Sequence, residues 1–219
     1  MRALAFLSKE RRELFSGAVW PEPGTALREG AIGLTGPQIL TRMDDELWVV
    51  ELDDPLTDLG DVLVAAGGTL VEQVAAWDDR TAHEFALACA DRARSLVCDA
   101  LRRDGRAEPE SLIGLPPAAY AEAAVALAPR LPQRLANAIL FSADIDALAK
   151  GRRPEEYGTQ PDPIGASRPA AIAANVAFVA AHTGGSVSPD GHDAGCAAER
   201  AWQLGWLEQR LGLVTRPAE

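Results

Sequence analysis

The chain has 219 residues, 47% of them hydrophobic and 24% charged, with a formal net charge of −11 and a pI near 4.8. A chain of this mass buries about 70% of its surface on folding, enough for a core without disulfide or metal staples. The acidity excludes non-specific nucleic-acid binding, which needs clustered cations, and no apolar run reaches the ~18 residues of a membrane span.

A cytoplasmic protein is therefore expected, the apolar start Met1–Leu7 being cut short by Ser8-Lys9-Glu10-Arg11-Arg12 before it can form a leader. Residues 1–75 hold 13 of the acidic and 6 of the basic side chains, so the acidity concentrates at the N-terminal end. A solvated face is the ordinary cause. The chain holds 41 Ala, and 19 of its 21 cations are Arg, a bias that empties single Ala or Arg positions of functional meaning. Cys89, Cys98 and Cys196 form no CxxC, so reduced thiols are expected, with no cofactor.

In chain order, Arg2–Leu7 reads as a strand. The prolines of Trp20-Pro21-Glu22-Pro23-Gly24 make that stretch a turn or sheet edge, because neither can donate to a ladder. A short strand over Ala31–Leu34 and a helical turn or two over Pro37–Met43 follow. Leu47–Leu52, with Trp48, Val49 and Val50 at its centre, is the strongest strand. Asp61–Ala65 and Thr69–Val74 flank Ala66-Gly67-Gly68, which predicts a hairpin.

Past Trp77 the period becomes helical. Ala82, Phe85, Ala86, Cys89, Ala93, Leu96, Val97 and Ala100 fall on one stripe of a helix from Asp79 to Arg103, capped by Asp78 or Asp79. Cys98 lies opposite that stripe. Helices are expected over Pro117–Ala128, Pro132–Lys150, Pro169–His182 and Asp193–Leu213, with a proline-punctuated loop over Pro154–Arg168. In the fourth, Ile172, Val176 and Val179 point inward. In the fifth, Leu204, Leu207, Leu211 and Val214 mark one face, and Trp202, Trp206 and Leu213 another. A helix apolar on two sides is central in a bundle or shared with a partner.

Trp20-Pro21-Glu22-Pro23-Gly24, Leu47–Leu52, Asp61–Val74 and Trp77-Asp78, in that order, resemble a small β-rich domain of unknown function found in actinobacterial proteins, sometimes ahead of pentapeptide repeats. No such repeat follows here. Ala197-Ala198-Glu199-Arg200-Ala201-Trp202-Gln203 resembles the helical domain of bacterial immunity proteins. Both resemblances imply binding rather than chemistry.

Three chemical readings stand beside that one. His182, His192 and Cys196, close together in a Gly-rich turn, are zinc-type ligands, although their spacing matches no recurring zinc motif. A Cys-His mechanism would use Cys196 as nucleophile at a helix start, His192 as base, and Asp190 or Asp193 to orient it. The plain alternatives are a buried inert thiol and Asp193 as a helix N-cap. Glu51 would be the acidic residue of a degenerate ADP-ribosyltransferase-like site, for which no partner residues are recognisable.

The expected architecture is α+β: a small antiparallel sheet in a β-rich domain (residues 1–77), packed on a bundle of about five helices (78–219). The expected function is non-enzymatic: binding of a protein partner, a toxin or a regulatory protein, through the helical surface, with no role for nucleic acid or membrane. Trp202, Trp206 and Leu213 are the candidate contact residues, and Trp206 the centre of a homodimer. A small-molecule enzyme built on residues 182–196 is the alternative.

Overall fold

A computed structural model of the chain describes residues 1–60, 62–106, 109–150, 167–184 and 189–213, leaving aside the side chains at 37, 41, 109, 182–184 and 189–193. Among the described residues, strands β1 (Arg2–Leu7), β2 (Ala26–Leu27), β3 (Ala31–Gly33), β4 (Glu46–Leu52), β5 (Leu56–Asp58), β6 (Leu63–Ala65) and β7 (Gly68–Gln73) come first. Helices α1 (Asp79–Arg103), α2 (Pro109–Leu112), α3 (Pro117–Leu127), α4 (Gln133–Lys150), α5 (Ser167–Gly184) and α6 (Pro189–Leu211) follow. The protein is α+β, with the single-turn α2 added to the five helices expected.

The strands form two antiparallel sheets, ordered β1-β4-β7-β2 and β3-β6-β5, joined by a bridge between Leu4 and Leu34. Strand pleating sends alternate side chains to opposite faces. From β1 and β4, Ala3, Ala5, Leu7, Trp48, Val50 and Leu52 point into a small core between the sheets, with Trp20 and Leu70. Leu4, Phe6 and Leu47 point the other way, into a larger core that continues through the helices. The polypeptide changes character at Trp77, but its apolar core crosses that point. Trp77 is the joint: its ring and that of Phe6 pack edge-to-face with centroids 5.2 Å apart, and its Nε1–H donates to Asp44 O at 2.9 Å.

The Ala66-Gly67-Gly68 hairpin is corrected. β6 pairs with β3 and β5, and β7 with β4 and β2, so the two glycines carry the chain from one sheet to the other. Close approach, not turn geometry, demands them. A Cβ on Gly67 would stand 2.5 Å from Leu27 O, and one on Gly68 would stand 2.9 Å from Glu51 O.

Asp78 caps α1 through a 2.7 Å bond from Thr81 N. α1 is buried on two faces, packing against α5 on one side and α4 on another, and Cys98 is buried rather than outward. α1 is thus a second helix apolar on two sides, beside α6, where Leu207 and Leu211 lie in the core while Trp202, Trp206 and, just past the helix end, Leu213 pack against it. α5 is also turned relative to expectation. Its inner face is Ala170, Ala173, Ala174, Ala177, Ala180 and Ala181, while Ile172 and Val179 are 42% and 38% exposed and Val176 is half-buried. Alanine faces let two helices approach closely, and at this seam that close packing outweighs the greater hydrophobicity of branched side chains. No helix of the described residues is long and apolar enough to cross a membrane.

Candidate functional site

The site begins with a charged residue on a buried helix face. On α1, Arg94 lies between Ala90 and Cys98, one turn from each, and all three are buried. Its guanidinium lies 3.9 Å over the Tyr120 ring of α3. Nη1–H donates to Leu115 O at 2.7 Å, ahead of α3, and Nη2–H donates to Asp146 Oδ2 of α4 at 2.5 Å. One side chain thus ties α1 to two other parts of the bundle.

Asp146 is wholly buried and serves two cations. Lys150, one turn along α4, places Nζ 2.6 Å from Asp146 Oδ1, as an ion pair rather than an aligned hydrogen bond, and 2.6 Å from Asp91 Oδ1 on α1. Burial works against the Lys150 ammonium, but the two carboxylates outweigh it and hold its pKa above the ordinary value. Beside this network, Ser142 donates to Ile139 O at 2.9 Å, so the 2.6 Å contact with Tyr120 has the phenol as donor. Burial pushes the Tyr120 pKa up to about 12.

Next to these groups lies a cleft of about 610 Å³. One wall is the side of α1 that carries Asp91, Ser95, Cys98, Asp99 and Arg102. The other is the apolar stretch from Ile113 to Pro117, and Lys150 and Arg94 stand at the inner end. Arg102 is held at the far end by Asp99 and Glu110. Burial raises the Cys98 pKa, so the thiol is protonated at neutral pH and suits packing rather than nucleophilic attack.

The residues singled out in the sequence lie elsewhere. Glu51 is exposed on β4, opposite Arg2 of β1 and Thr69 of β7. Cys196 is buried on α6. The side chains of His182, His192, Asp190 and Asp193 lie outside the described residues. The backbone nevertheless corrects the Gly-rich turn: α5 runs to Gly184 and α6 starts at Pro189, so Asp193 sits inside a helix and is not its N-cap. Among the described residues, no three His, Cys, Asp or Glu side chains gather as a metal-binding group.

Trp202 and Trp206 are half-buried and pack on the chain's own core, as does Leu213. Trp206 meets Phe85 of α1 with ring centroids 5.1 Å apart, and Arg92 of α1 lies 5.1 Å over Trp202. α1 reaches across to them, so the chain itself covers part of this face. Further in, Glu199 pairs with Arg92 at 2.9 Å, and Gln203 donates to Ala174 O at 2.9 Å. These polar contacts fix α6 against α1 and α5.

Sequence reasoning missed the Arg94 network because Arg is so abundant here. The signal was present: Arg94 and Asp146 are opposite charges at inward positions of two separate helices. Buried charges require partners, so each announces the other. No family model, curated protein or solved structure matches this chain.

Proposed function

We propose that the protein is a non-enzymatic interaction protein of the immunity or regulatory kind, acting in the cytoplasm and binding a protein partner, such as a toxin, through its helical surface. The observation that supports this most is the outer face of α5. Ile172, Val176 and Val179 are spaced by four and three residues, so they form one apolar line, and the two ends are more than a third exposed. The alanines beneath fill the core side of α5, and the ends of this line, Ile172 and Val179, stand outside the buried core. Apolar rows of this kind are what a partner helix or a second copy of the chain packs against. The outward parts of Trp202, Trp206 and Leu213 on α6 are proposed as further contacts, in keeping with the prevalence of Trp among interface anchors.

The charged groups lining the cleft fit the same reading. Asp91, Asp99, Arg94, Arg102 and Lys150 are engaged with opposite charges, which suits a fixed recognition surface better than a poised acid or base. The test is an Ile172→Glu/Val179→Glu variant, compared with wild type in sedimentation and in recovery of bound protein from the native host. The expected result is unchanged helix content with loss of the dimer or of the bound partner. Unchanged association, or unfolding of the variant, contradicts the proposal.

A further inference from the structure

We propose that the cleft beside α1 binds a small organic anion, a carboxylate or phosphate monoester, with its oxyanion at the Arg94–Lys150 end and its apolar body along Ile113, Leu115 and Pro116. This goes beyond a protein-binding role and rests on separate observations.

The first is a charge count at the buried end. Arg94 and Lys150 converge there on one fully buried carboxylate, Asp146. The second carboxylate, Asp91, has its side chain 66% exposed and touches only Lys150 among the cleft cations. An exposed partner is held weakly and can be replaced at little cost. An incoming oxyanion can take the place of Asp91 at Lys150, so that the two cations stay balanced by two anions. At the other end, Asp99 and Glu110 neutralise Arg102 and are exposed enough for solvent to screen them.

The second observation is an unused donor. Arg94, a buried side chain lining the cleft, has an Nε–H with no acceptor among the described residues. A buried donor without a partner is costly, and a ligand oxygen beside the guanidinium relieves that cost. Nη1 and Nη2 already donate to Leu115 O and Asp146 Oδ2, so Nε is the guanidinium nitrogen left for a ligand oxygen. The third is the opposite wall, where Ile113 is 52% exposed and Leu115 and Pro116 continue the apolar surface. A volume near 610 Å³ suits a ligand with a body, not a bare ion.

The experiment is titration of the full-length, 15N-labelled protein with millimolar benzoate and phenyl phosphate, against benzyl alcohol, benzylamine and inorganic phosphate. Either or both of the first two should give saturable shifts at the amides of Ser95, Cys98, Gly114 and Leu115, which also distinguishes carboxylate from phosphate. The alcohol and the amine should leave those amides unmoved. Lys150→Gln should weaken binding at least about tenfold, the scale of one charge-assisted hydrogen bond. Ser95→Trp, which fills the cleft without touching the ion pairs, should abolish it. The proposal is overturned if neither anion shifts those amides, if benzyl alcohol shifts them equally, or if Ser95→Trp leaves the affinity unchanged. Inorganic phosphate binding as tightly as phenyl phosphate would overturn the role of the apolar wall. A failed Ile172/Val179 variant bears on α5 alone and leaves this test independent.

Discussion

The core between the two sheets and the α1–α5 seam solve the same packing problem with opposite materials. The sheets close around Trp20, Trp48, Leu7, Leu52 and Leu70. At the seam, α1 buries Ala82, Ala86, Ala90 and Ala93, and α5, which packs against it, buries Ala173, Ala174 and Ala177. Stacked sheets stand about 10 Å apart and need large side chains to fill the gap. Helices can instead come close when their facing residues are small, so dispersion between backbones replaces side-chain bulk. Burial in this chain therefore follows the geometry of the contact, not the hydrophobicity of the residue. The α1–α4 contact adds a third material, an ion pair, and it should be the most sensitive to single substitutions.

The largest effect is expected there. Asp146→Ala leaves Arg94 buried with a charge and no carboxylate, and should cost about 3–5 kcal/mol in urea denaturation. Arg94→Met combined with Asp146→Leu should recover most of that loss, because a matched apolar pair leaves no charge stranded. If the single and double variants are equally unstable, the pair is not the electrostatic clamp described.

The alanine seam comes next. Ala177→Leu adds bulk where there is no room and should cost about 1–3 kcal/mol. Val179→Ala, two residues along on the exposed face, should change stability by no more than about 0.5 kcal/mol. Equal costs at the two positions would erase the distinction between the faces of α5. In the sheets, Gly67→Ala forces a methyl group to within 2.5 Å of Leu27 O, and a loss of about 1–2 kcal/mol is expected by thermal melting.

The smallest effect is a pH dependence at Tyr120. Its pKa rises from an ordinary value near 10 to about 12 in the folded protein. The folded state holds this proton more tightly, so its contribution is whole below pH about 10 and falls away as pH rises toward about 12. Tyr120→Phe keeps the ring under Arg94, loses the Ser142 bond at a cost of about 0.5–1.5 kcal/mol, and should flatten that alkaline decline. An unchanged decline would assign it to other groups, among them the buried Cys98 thiol.

These contrasts also mark where the sequence was legible. The strand over Leu47–Leu52 and the helix after Asp78 follow from local alternation and a cap, and both formed as read. The α5 face was misread because periodicity weighs Ile and Val above Ala, while the seam selected Ala. The glycine hairpin failed because Gly67 and Gly68 answer to atoms of Leu27 and Glu51, distant in sequence. The cleft joins residues of α1, the 113–117 stretch and α4, an adjacency that no single segment encodes.

Thiol labelling of single cysteines introduced into α5 tests the central claim, that packing geometry rather than residue hydrophobicity decides which face is buried. The native cysteines are all buried and contribute little background. In folded protein treated with a maleimide, Val179→Cys should react quickly, whereas Ala177→Cys should be protected until the protein is unfolded. The reverse order would turn α5 over, return Ile172 and Val179 to the core, and remove the surface on which the proposed partner docks.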